Sequence, residues 1–447
     1  MMQATFAIFK ILCSVPLLLP SVAATNGAHS HLRGNGHFNR HRLEAKIVGG
    51  HEAPLNSYPS YVQWSNGCAG VLIHDDIVIT AAHCDSVTNS IQRFPLFVGG
   101  DGRSRSGTRI HATAAFRHPR YDLEQSFLYD FLLLKLPHRI DGIPFAPLNA
   151  NHSYPTNGIP LTVVGHGMLD SEDSRNDAPT IYHEVTVPYI ESCSVYLHQV
   201  QSEVQFCAGD MPFGGRDACL GDSGSGIFDD EGLLVGLVSW GIGCARPRKP
   251  GVYARISAVE RWIAHMICQE SSYQPAHCTN VQVSLTVDDY PEQIGLALLD
   301  YDSTSTPESV VIPAGSIIAN PQQTLRYTFS VPKGRNYLLQ VEDTGQNGFC
   351  CEDGAGEVTI RDRQFRYHLS GLFQSRYASV LLPEVGGSEQ DDEETESNED
   401  EEAAERLHEA NLAMILRSKG NGHGREQDYE TRPIWPTRPT ISSSKAP

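Results

Sequence analysis

Short β-type runs separated by clusters of turn residues fill residues 47–268, and this alternation constrains the fold more than any other feature of the sequence. Strands that recur at such spacing, without helices between them, predict an all-β barrel or sandwich. The exception is the stretch 258–267, which predicts a single closing helix. The clearest predicted strands are residues 70–73, 77–80, 131–136 and 233–238.

One loop of this region, residues 217–226, combines residue types that suit nucleophilic catalysis. Ser223 is flanked by glycines, which leave its hydroxyl accessible and let a substrate approach the backbone amides closely. Cys219 can hold the loop through a disulfide, and Asp217 places a charge near the serine. The loop can therefore supply a nucleophile, an oxyanion site and a charged specificity determinant.

His83 and Asp130 are the candidate base and its orienting acid. A serine hydroxyl needs a base to take its proton, and an imidazole held in one tautomer by a carboxylate suits that task near neutral pH. His83 follows a buried strand and precedes Cys84, and Asp130 opens an apolar strand. Taken singly, a histidine at a strand end is most often structural, and an aspartate before a strand is usually a turn former.

Two further motifs accompany these three residues, Ile-Val-Gly-Gly at 47–50 and Ser-Trp-Gly at 239–241. The five separated motifs together resemble the trypsin branch of the chymotrypsin-like serine proteases. The resemblance covers about residues 47–268, which is half of the chain. It implies a double six-stranded β-barrel with a C-terminal helix.

The resemblance also implies a role for each residue of the constellation. Ser223 would attack the scissile carbonyl, while His83 takes and returns the proton and Asp130 stabilises the imidazolium form. The backbone amides of Gly221 and Ser223 would form the oxyanion hole. Glycine suits position 221 because a side chain there would crowd the approaching carbonyl.

A substrate with Arg or Lys before the scissile bond follows from the same resemblance. Asp217 corresponds to the acid at the base of the specificity pocket, where a cationic side chain is its natural counter-ion. Gly241 and Gly251 match the glycines of the pocket wall, and Ser239 is a further predicted substrate-binding residue. Ala218 stands where many relatives carry a serine that assists lysine binding, so we expect a preference for Arg.

Lys46 and Ile47 resemble a zymogen activation site. Cleavage after Lys46 would free the amine of Ile47, which in the family enters an apolar pocket and pairs with the acid before the nucleophile, here Asp222. A buried ion pair suits a switch because the unpaired acid alone is costly to bury. The alternative, that Ile47 merely begins a strand, is disfavoured by the matching Asp222. Activation by another trypsin-like enzyme or by the protein itself fits a cut after lysine.

Cys13 lies in a predicted signal peptide, residues 1–24, and is set aside. Ten cysteines then remain, and an even number suits an oxidising compartment. The family pairing, carried onto this chain, gives Cys68–Cys84, Cys193–Cys207 and Cys219–Cys244. Of the other four, Cys268 and Cys278 close a short loop and are the favoured pair. Cys350 and Cys351 are adjacent, and they pair either with each other or with those two.

The N-terminal residues predict export. An apolar core ending in Val-Ala-Ala at residues 22–24 is typical of a signal peptide, residues 1–24. A membrane anchor is the alternative, but the run is short for a bilayer and contains two prolines. Residues 25–46 predict a pro-segment whose histidines lack a fixed metal-ligand spacing. We expect a secreted, extracellular protein without a transmembrane segment.

A linker at residues 269–277 leads to a second β-rich region at 278–383, with period-two alternation at 281–287. The tail, residues 384–447, begins with a stretch up to residue 405 that has twelve acids and no Lys or Arg. Much of the net charge of −19 therefore belongs to this stretch. The acidic and Pro-rich composition of the whole tail predicts disorder.

The second β-rich region shows no catalytic cluster. Residues 341–351 resemble a turn found in small accessory β modules of secreted proteins. A binding module for a surface, a glycan or a protein and a purely stabilising appendage remain equal alternatives, because fold alone does not give function. Protein inhibitors are further candidate partners.

The remaining features indicate no cofactor and no metal. Residues 99–113 lack the spaced acids of a calcium loop, and nothing is basic enough for nucleic-acid binding. Asn151 begins a glycosylation sequon. His166, between two glycines, stands where the family usually has tryptophan, and we interpret it as a packing variation.

Two functions other than proteolysis remain open. A catalytically dead homologue could act as a binding protein, although such homologues usually show a substituted triad residue. Alternatively, the accessory domain carries the main role and proteolysis is auxiliary.

Overall fold

The computed structural model describes residues 47–85, 90–122, 127–167, 180–197, 199–211, 213–301, 309–312, 314–315, 317–345, 357–361, 366–370 and 377–386. The predicted signal peptide, pro-segment, Lys46, Cys350, Cys351 and most of the tail lie outside these residues. Among the described residues no helix has the length and apolar character needed to cross a bilayer.

The strands, in chain order, are β1 (His51–Glu52), β2 (Tyr61–Trp64), β3 (Cys68–His74), β4 (Ile77–Thr80), β5 (Leu96–Val98), β6 (Thr108–Ile110), β7 (Ala114–Arg117), β8 (Leu132–Lys135), β9 (Pro160–Gly165), β10 (His183–Ile190), β11 (Gln205–Ala208), β12 (Gly226–Phe228), β13 (Leu234–Trp240), β14 (Gly251–Arg255), β15 (Cys278–Thr286), β16 (Ile294–Asp300), β17 (Ser309–Ile312), β18 (Thr324–Pro332), β19 (Arg335–Asp343), β20 (Glu357–Arg361), β21 (Arg366–Ser370) and β22 (Tyr377–Val385). The helices are α1 (Ser90–Arg93) and α2 (Glu260–Glu270), and 3₁₀ turns cover Ala82–Cys84, Ser194–Tyr196, Ile256–Ala258 and Pro291–Gln293.

The first half of the protease-like region forms a curled half-barrel. Its strands follow the order β6-β5-β2-β3-β4-β8-β7, and every neighbouring pair is antiparallel. The second half forms a closed barrel, because β9 pairs with both β10 and β12 in the ring β9-β10-β11-β14-β13-β12. The predicted all-β double barrel is confirmed.

One hydrophobic core joins the two halves. Ile79 and Phe131 of the first half are fully buried together with Leu237 of the second, and Trp262 of α2 closes the cluster. Burying side chains of this size contributes about 1.5–3 kcal/mol each. The ends of β4 and β13 therefore meet at fixed positions, and the candidate site lies between the two halves.

The closing helix lies slightly later in the chain than its prediction. It begins at Glu260, after a 3₁₀ turn at Ile256–Ala258, and continues three residues beyond the expected end at Ile267. The carbonyl of Ile267 accepts from the amide of Ser271 at 3.1 Å, which satisfies one orphan group of the last turn. The first two residues of the predicted linker are therefore helical.

The second β-rich region is a sandwich of two four-stranded antiparallel sheets, β18-β15-β20-β21 and β17-β16-β19-β22. The predicted alternation appears in β15, where Val281, Val283 and Leu285 are fully buried between more exposed neighbours. Phe329 and Val331 of β18 contribute to the same core. This region therefore has its own hydrophobic core, separate from the core of the two barrels.

Candidate active site

His83, Asp130 and Ser239 form one hydrogen-bonded group between the two barrels. Asp130 is fully buried, and its Oδ2 accepts from Nδ1 of His83 at 2.7 Å and from the hydroxyl of Ser239 at 2.6 Å. Its Oδ1 accepts from the backbone amide of His83 at 2.9 Å. With Nδ1 bound to Asp130, Nε2 is the remaining ring nitrogen of His83.

Ser223 lies on a loop whose backbone is hydrogen-bonded to β3, one of the strands that precede His83. Its carbonyl oxygen accepts from the amide of Ala69 at 2.8 Å and lies 3.7 Å from Sγ of Cys84, the neighbour of His83. Gly224 follows at φ +77°, where an added Cβ would collide with the backbone of Ala69. Only glycine permits this approach. The half-buried Ser223 is thus held beside the His83 turn.

Disulfides brace both sides of this group. The structure joins Cys68 to Cys84 next to His83 and Cys219 to Cys244 next to the Ser223 loop. It also joins Cys193 to Cys207 and Cys268 to Cys278. Among the described residues, each of the two close groups of Cys and His contains one of these disulfides, so their sulfurs are not available as metal ligands.

Asp217 is buried, and one of its two carboxylate oxygens has no hydrogen-bond partner among the described residues. Its Oδ2 accepts from the amide of Ala245 at 2.9 Å, whereas Oδ1 is buried without a hydrogen bond. Burial raises the pKa of Asp217 to about 7, against the effect of its backbone hydrogen bonds. A Cβ added at Gly251 would lie 2.8 Å from that free oxygen. A Cβ added at Gly241, on the opposite side, would lie 4.0 Å from the Cα of Gly251.

Asp222 is fully buried in a cradle of backbone amides. It accepts from Gly167 at 2.8 Å and from Cys219 at 2.9 Å, and the amide of His166 also donates to it. Burial raises the pKa of Asp222 to about 6 despite these bonds. An added Cβ at Gly165 would overlap the Asp222 carboxylate. Among the described residues, no cation pairs with this buried carboxylate.

The segment that begins with Ile47 packs against the closed barrel and contacts Asp217 through its backbone. Ile47 is fully buried with Val163 and Val187 of the closed barrel. The carbonyl of Val48 accepts from the amide of Asp217 at 3.0 Å. Lys46 lies outside the described residues. The predicted glycosylation residue, Asn151, lies on an exposed turn and its Oδ1 accepts from the amide of Ser153 at 2.9 Å.

Three contacts of the site were not predicted from the sequence. Ser239, a predicted substrate-binding residue, donates its hydroxyl to Asp130. Phe127 packs edge-on against the ring of His83, with centroids 5.4 Å apart, and nothing in its neighbourhood pointed to this contact. The backbone amide of His166 donates to Asp222, a contact that the interpretation as a packing variation did not include. Its place between two glycines of the cradle was the available signal.

A double barrel with a Ser, His and Asp at the junction of its halves defines the class of chymotrypsin-like serine proteases. The family model described as Trypsin matches residues 47–263. A trypsin-like protease of Streptomyces glaucescens is 34% identical over 232 residues, which cover 50% of this chain and 83% of the relative. Trypsin 5G1 of Aedes aegypti is 33% identical over 250 residues, 54% of this chain and 91% of the relative. Trypsin of Pleuronectes platessa is 34% identical over 235 residues, 50% of this chain and 90% of the relative. The chain belongs to the trypsin family, and it is a trypsin-like serine endopeptidase.

Proposed function

We propose that the protein is a secreted zymogen that hydrolyses peptide bonds after Arg or Lys, once it has been cut after Lys46. The observation that carries the proposal is the buried Asp130, which holds His83 by ring and backbone beside the Ser223 loop. An imidazole fixed in this way keeps Nε2 free to take a proton, which is the requirement for activating a serine hydroxyl.

In the proposed mechanism, Ser223 attacks the scissile carbonyl while His83 takes its proton. Asp130 holds the imidazole in one tautomer and stabilises the imidazolium, and Ser239 adds a hydrogen bond to that carboxylate. The amides of Gly221 and Ser223 receive the developing oxyanion, where losing one donor typically costs about 3 kcal/mol. His83 then protonates the leaving amine, and water hydrolyses the acyl-enzyme.

The free oxygen of Asp217 supports the proposed specificity. A buried carboxylate oxygen without a donor is costly, and a guanidinium or ammonium group from the substrate would satisfy it. Gly241 and Gly251 leave space for a long side chain beside it. Ala218 offers no hydroxyl to assist an ammonium, so we expect a preference for Arg.

The cradle around Asp222 supports the proposed activation. A fully buried carboxyl with a raised pKa gains most from a cation placed beside it. Cleavage after Lys46 would provide the amine of Ile47, whose residue already lies buried in the same barrel. Because the amine exists only after the cut, the ion pair would couple processing to activity.

The proposal includes a modular organisation and a location. A signal peptide (1–24), a pro-segment (25–46), a protease domain (47–268), a linker (269–277), an accessory domain (278–383) and a tail (384–447) follow the sequence expectations. Disulfides and the export signal fit an extracellular protein glycosylated at Asn151. Protein inhibitors and a surface or glycan ligand of the accessory domain are proposed partners.

Active-site titration of the processed protein with an arginyl ester tests the proposal directly. We expect a burst that equals the protein concentration and disappears in Ser223→Ala. Lys46→Gln should yield an inactive precursor, and Asp217→Ser should lose the arginyl preference. A processed protein that gives no burst would favour a dead homologue, and full turnover by the Lys46→Gln precursor would exclude activation at this site.

A further inference from the structure

A turn beside the specificity pocket carries three cations, Arg246, Arg248 and Lys249, which we call the cationic turn. Arg246 and Arg248 are exposed, and Lys249 is half-buried with its ammonium 5.4 Å from the ring centroid of Tyr196. Within the part of the chain that the structure describes, no carboxylate forms an ion pair with any of the three. The turn therefore presents uncompensated positive charge.

The cationic turn is held rigidly against the pocket. The residue before it, Ala245, donates its amide to Asp217 and accepts from the amide of Gly215 at 2.9 Å. The amide of Lys249 donates to the carbonyl of Arg246 at 3.1 Å, closing the turn. Cys244 ties the segment to the loop of Ser223. A fixed backbone means that little entropy is lost when the charges meet a ligand.

The first of these cations, Arg246, packs its guanidinium directly on Gly243, two residues beyond the predicted wall glycine Gly241. A substrate whose basic side chain pairs with Asp217 would bring its neighbouring residues towards this turn, because Ala245, next to Arg246, donates to Asp217. Acidic neighbours would be attracted and basic neighbours repelled, since charges at such distances interact even when partly exposed.

The chain contains a segment with this charge pattern. Residues 384–405 include twelve acids and no Lys or Arg, and Arg406 follows at once, preceded by Glu405. The described structure ends at Gly386, twenty residues before Arg406. At about 3.3 Å per residue an extended chain of that length spans roughly 65 Å, enough to reach across a domain of this size.

We propose that the cationic turn binds acidic residues that precede a scissile arginine, and that the chain's own segment 384–406 is its ligand, cut after Arg406. The inference rests on the proposed function for its cleavage step. Ser223 would form an ester with the Arg406 carbonyl as the bond to Leu407 breaks, and His83 would give the leaving amine its proton. Water then hydrolyses the ester, which releases residues 407–447 and leaves a carboxylate on Arg406.

The rate at which the full-length processed protein releases residues 407–447, followed by mass spectrometry, tests the proposal. Arg246→Gln/Arg248→Gln should slow release about tenfold at low salt, because exposed charge pairs each contribute modestly. Glu401→Gln/Glu402→Gln/Glu405→Gln should slow it similarly. Combining the two sets should add little, since they remove the same interaction. Fully additive losses, or cleavage only at other basic residues, would overturn the proposal.

The matched control is Arg105→Gln/Arg109→Gln, which removes two exposed cations from the first barrel. Arg105 has φ +59°, as does Arg248, so the backbone penalty of the substitution is comparable. This control should release the fragment at the wild-type rate; an equal slowing would show that net charge alone matters. Each variant is also assayed on a small neutral arginyl ester. Loss of ester turnover throughout would count against the proposed function instead.

A second measurement does not depend on catalysis. In full-length Ser223→Ala, a water-soluble carbodiimide should link the amine of Lys249 to a carboxylate within residues 384–405. Addition of 0.5 M salt, about a 4 Å screening length, should reduce that link. Links from other lysines alone, with none from Lys249, would overturn the proposal whether or not the enzyme is active.

Discussion

The hydroxyl of Tyr61 lies 2.6 Å from Nδ1 of His166. This buried hydrogen bond connects β2 of the half-barrel to the end of β9 in the closed barrel. Burial lowers the pKa of His166 to about 4, with a contribution from the charge of Arg105, so the ring is neutral at physiological pH. The backbone amide of the same residue donates to Asp222. The side chain of His166 therefore helps to fix one of the backbone amides that surround Asp222.

Tyr61→Phe should destabilise the protein by about 1–3 kcal/mol, because it leaves a buried ring nitrogen of His166 without a partner. Chemical denaturation measures this loss. Tyr61→Phe/His166→Phe should recover much of the stability, since both polar groups are then absent. If the double variant is no more stable than the single one, the hydrogen bond is not the source of the loss.

Binding of benzamidine should weaken on acidification through about pH 7. The pKa of Asp217 is raised to about 7 by burial, and only its ionised form attracts an amidinium. Below about pH 6 the dissociation constant should approach a tenfold rise per pH unit, with a proton released on binding. Calorimetry in two buffers of different ionisation enthalpy measures both effects. A constant affinity between pH 5 and 8 would contradict the role of this carboxyl.

Ser239→Ala should lower kcat about tenfold with little change in KM. The substitution removes one of three donors to the buried Asp130 and weakens the hold on His83 without touching the pocket. Steady-state kinetics on an arginyl peptide measure the change. Ser257→Ala, on a partly exposed serine whose hydroxyl lies 3.5 Å from Nδ1 of His152, is the control and should leave both constants unaltered. A rise in KM alone would instead support the predicted substrate-binding role of Ser239.

Asp300→Asn should destabilise the junction between the protease and accessory regions. The carboxylate is fully buried between Arg261 of α2 at 3.0 Å, Arg335 of β19 at 3.3 Å and His265 at 3.5 Å. Removing its charge leaves Arg261 and Arg335 facing one another, at a cost of about 3 kcal/mol in the free energy of unfolding.

The control is Glu260→Gln, which weakens a partly exposed pair with Arg335 at 3.6 Å and should cost less than about 1 kcal/mol. The pKa of Asp300 is lowered, because hydrogen bonding to His265 and the arginine charges outweigh burial. A carboxyl with a depressed pKa contributes stability above its unfolded pKa. The contribution should therefore fade as the pH falls below about 4. Equal losses for the two variants would contradict this assignment.

The double barrel could be predicted from the sequence because its signals are local. The apolar runs that became β4, β8 and β13 each form a strand at or near the expected place. Neighbours along the chain also indicated the motif residues His83 and Ser223. Side chains at strand ends and glycine loops are specified by short stretches of sequence, which is why this part of the interpretation succeeded.

Contacts between distant segments were not predictable in this way. The predicted linker contains Ser271, whose hydroxyl donates to Asp76 at 2.7 Å, and Ser272, whose amide donates to the same carboxylate at 2.9 Å. Lys135 also contacts Asp76, and Gln274 donates to Ser330 at 2.9 Å. These partners lie dozens to nearly two hundred positions away, and their pairing depends on how the sheets close. The polar composition of this stretch is therefore typical of a free linker, although its residues form hydrogen bonds with both folded regions.

Among the described residues, the disulfide between Cys268 and Cys278 closes a ring around the backbone segment that joins the two folded regions. The residues inside that ring include neither Arg nor Lys. If the enzyme cuts after basic residues, as proposed, it has no cleavage site of its own in this segment. A different protease that nicked the ring would still leave the two parts joined through sulfur. Under oxidising conditions the catalytic and accessory regions would therefore stay linked. The disulfide would have to be reduced before a cut within the ring could separate them.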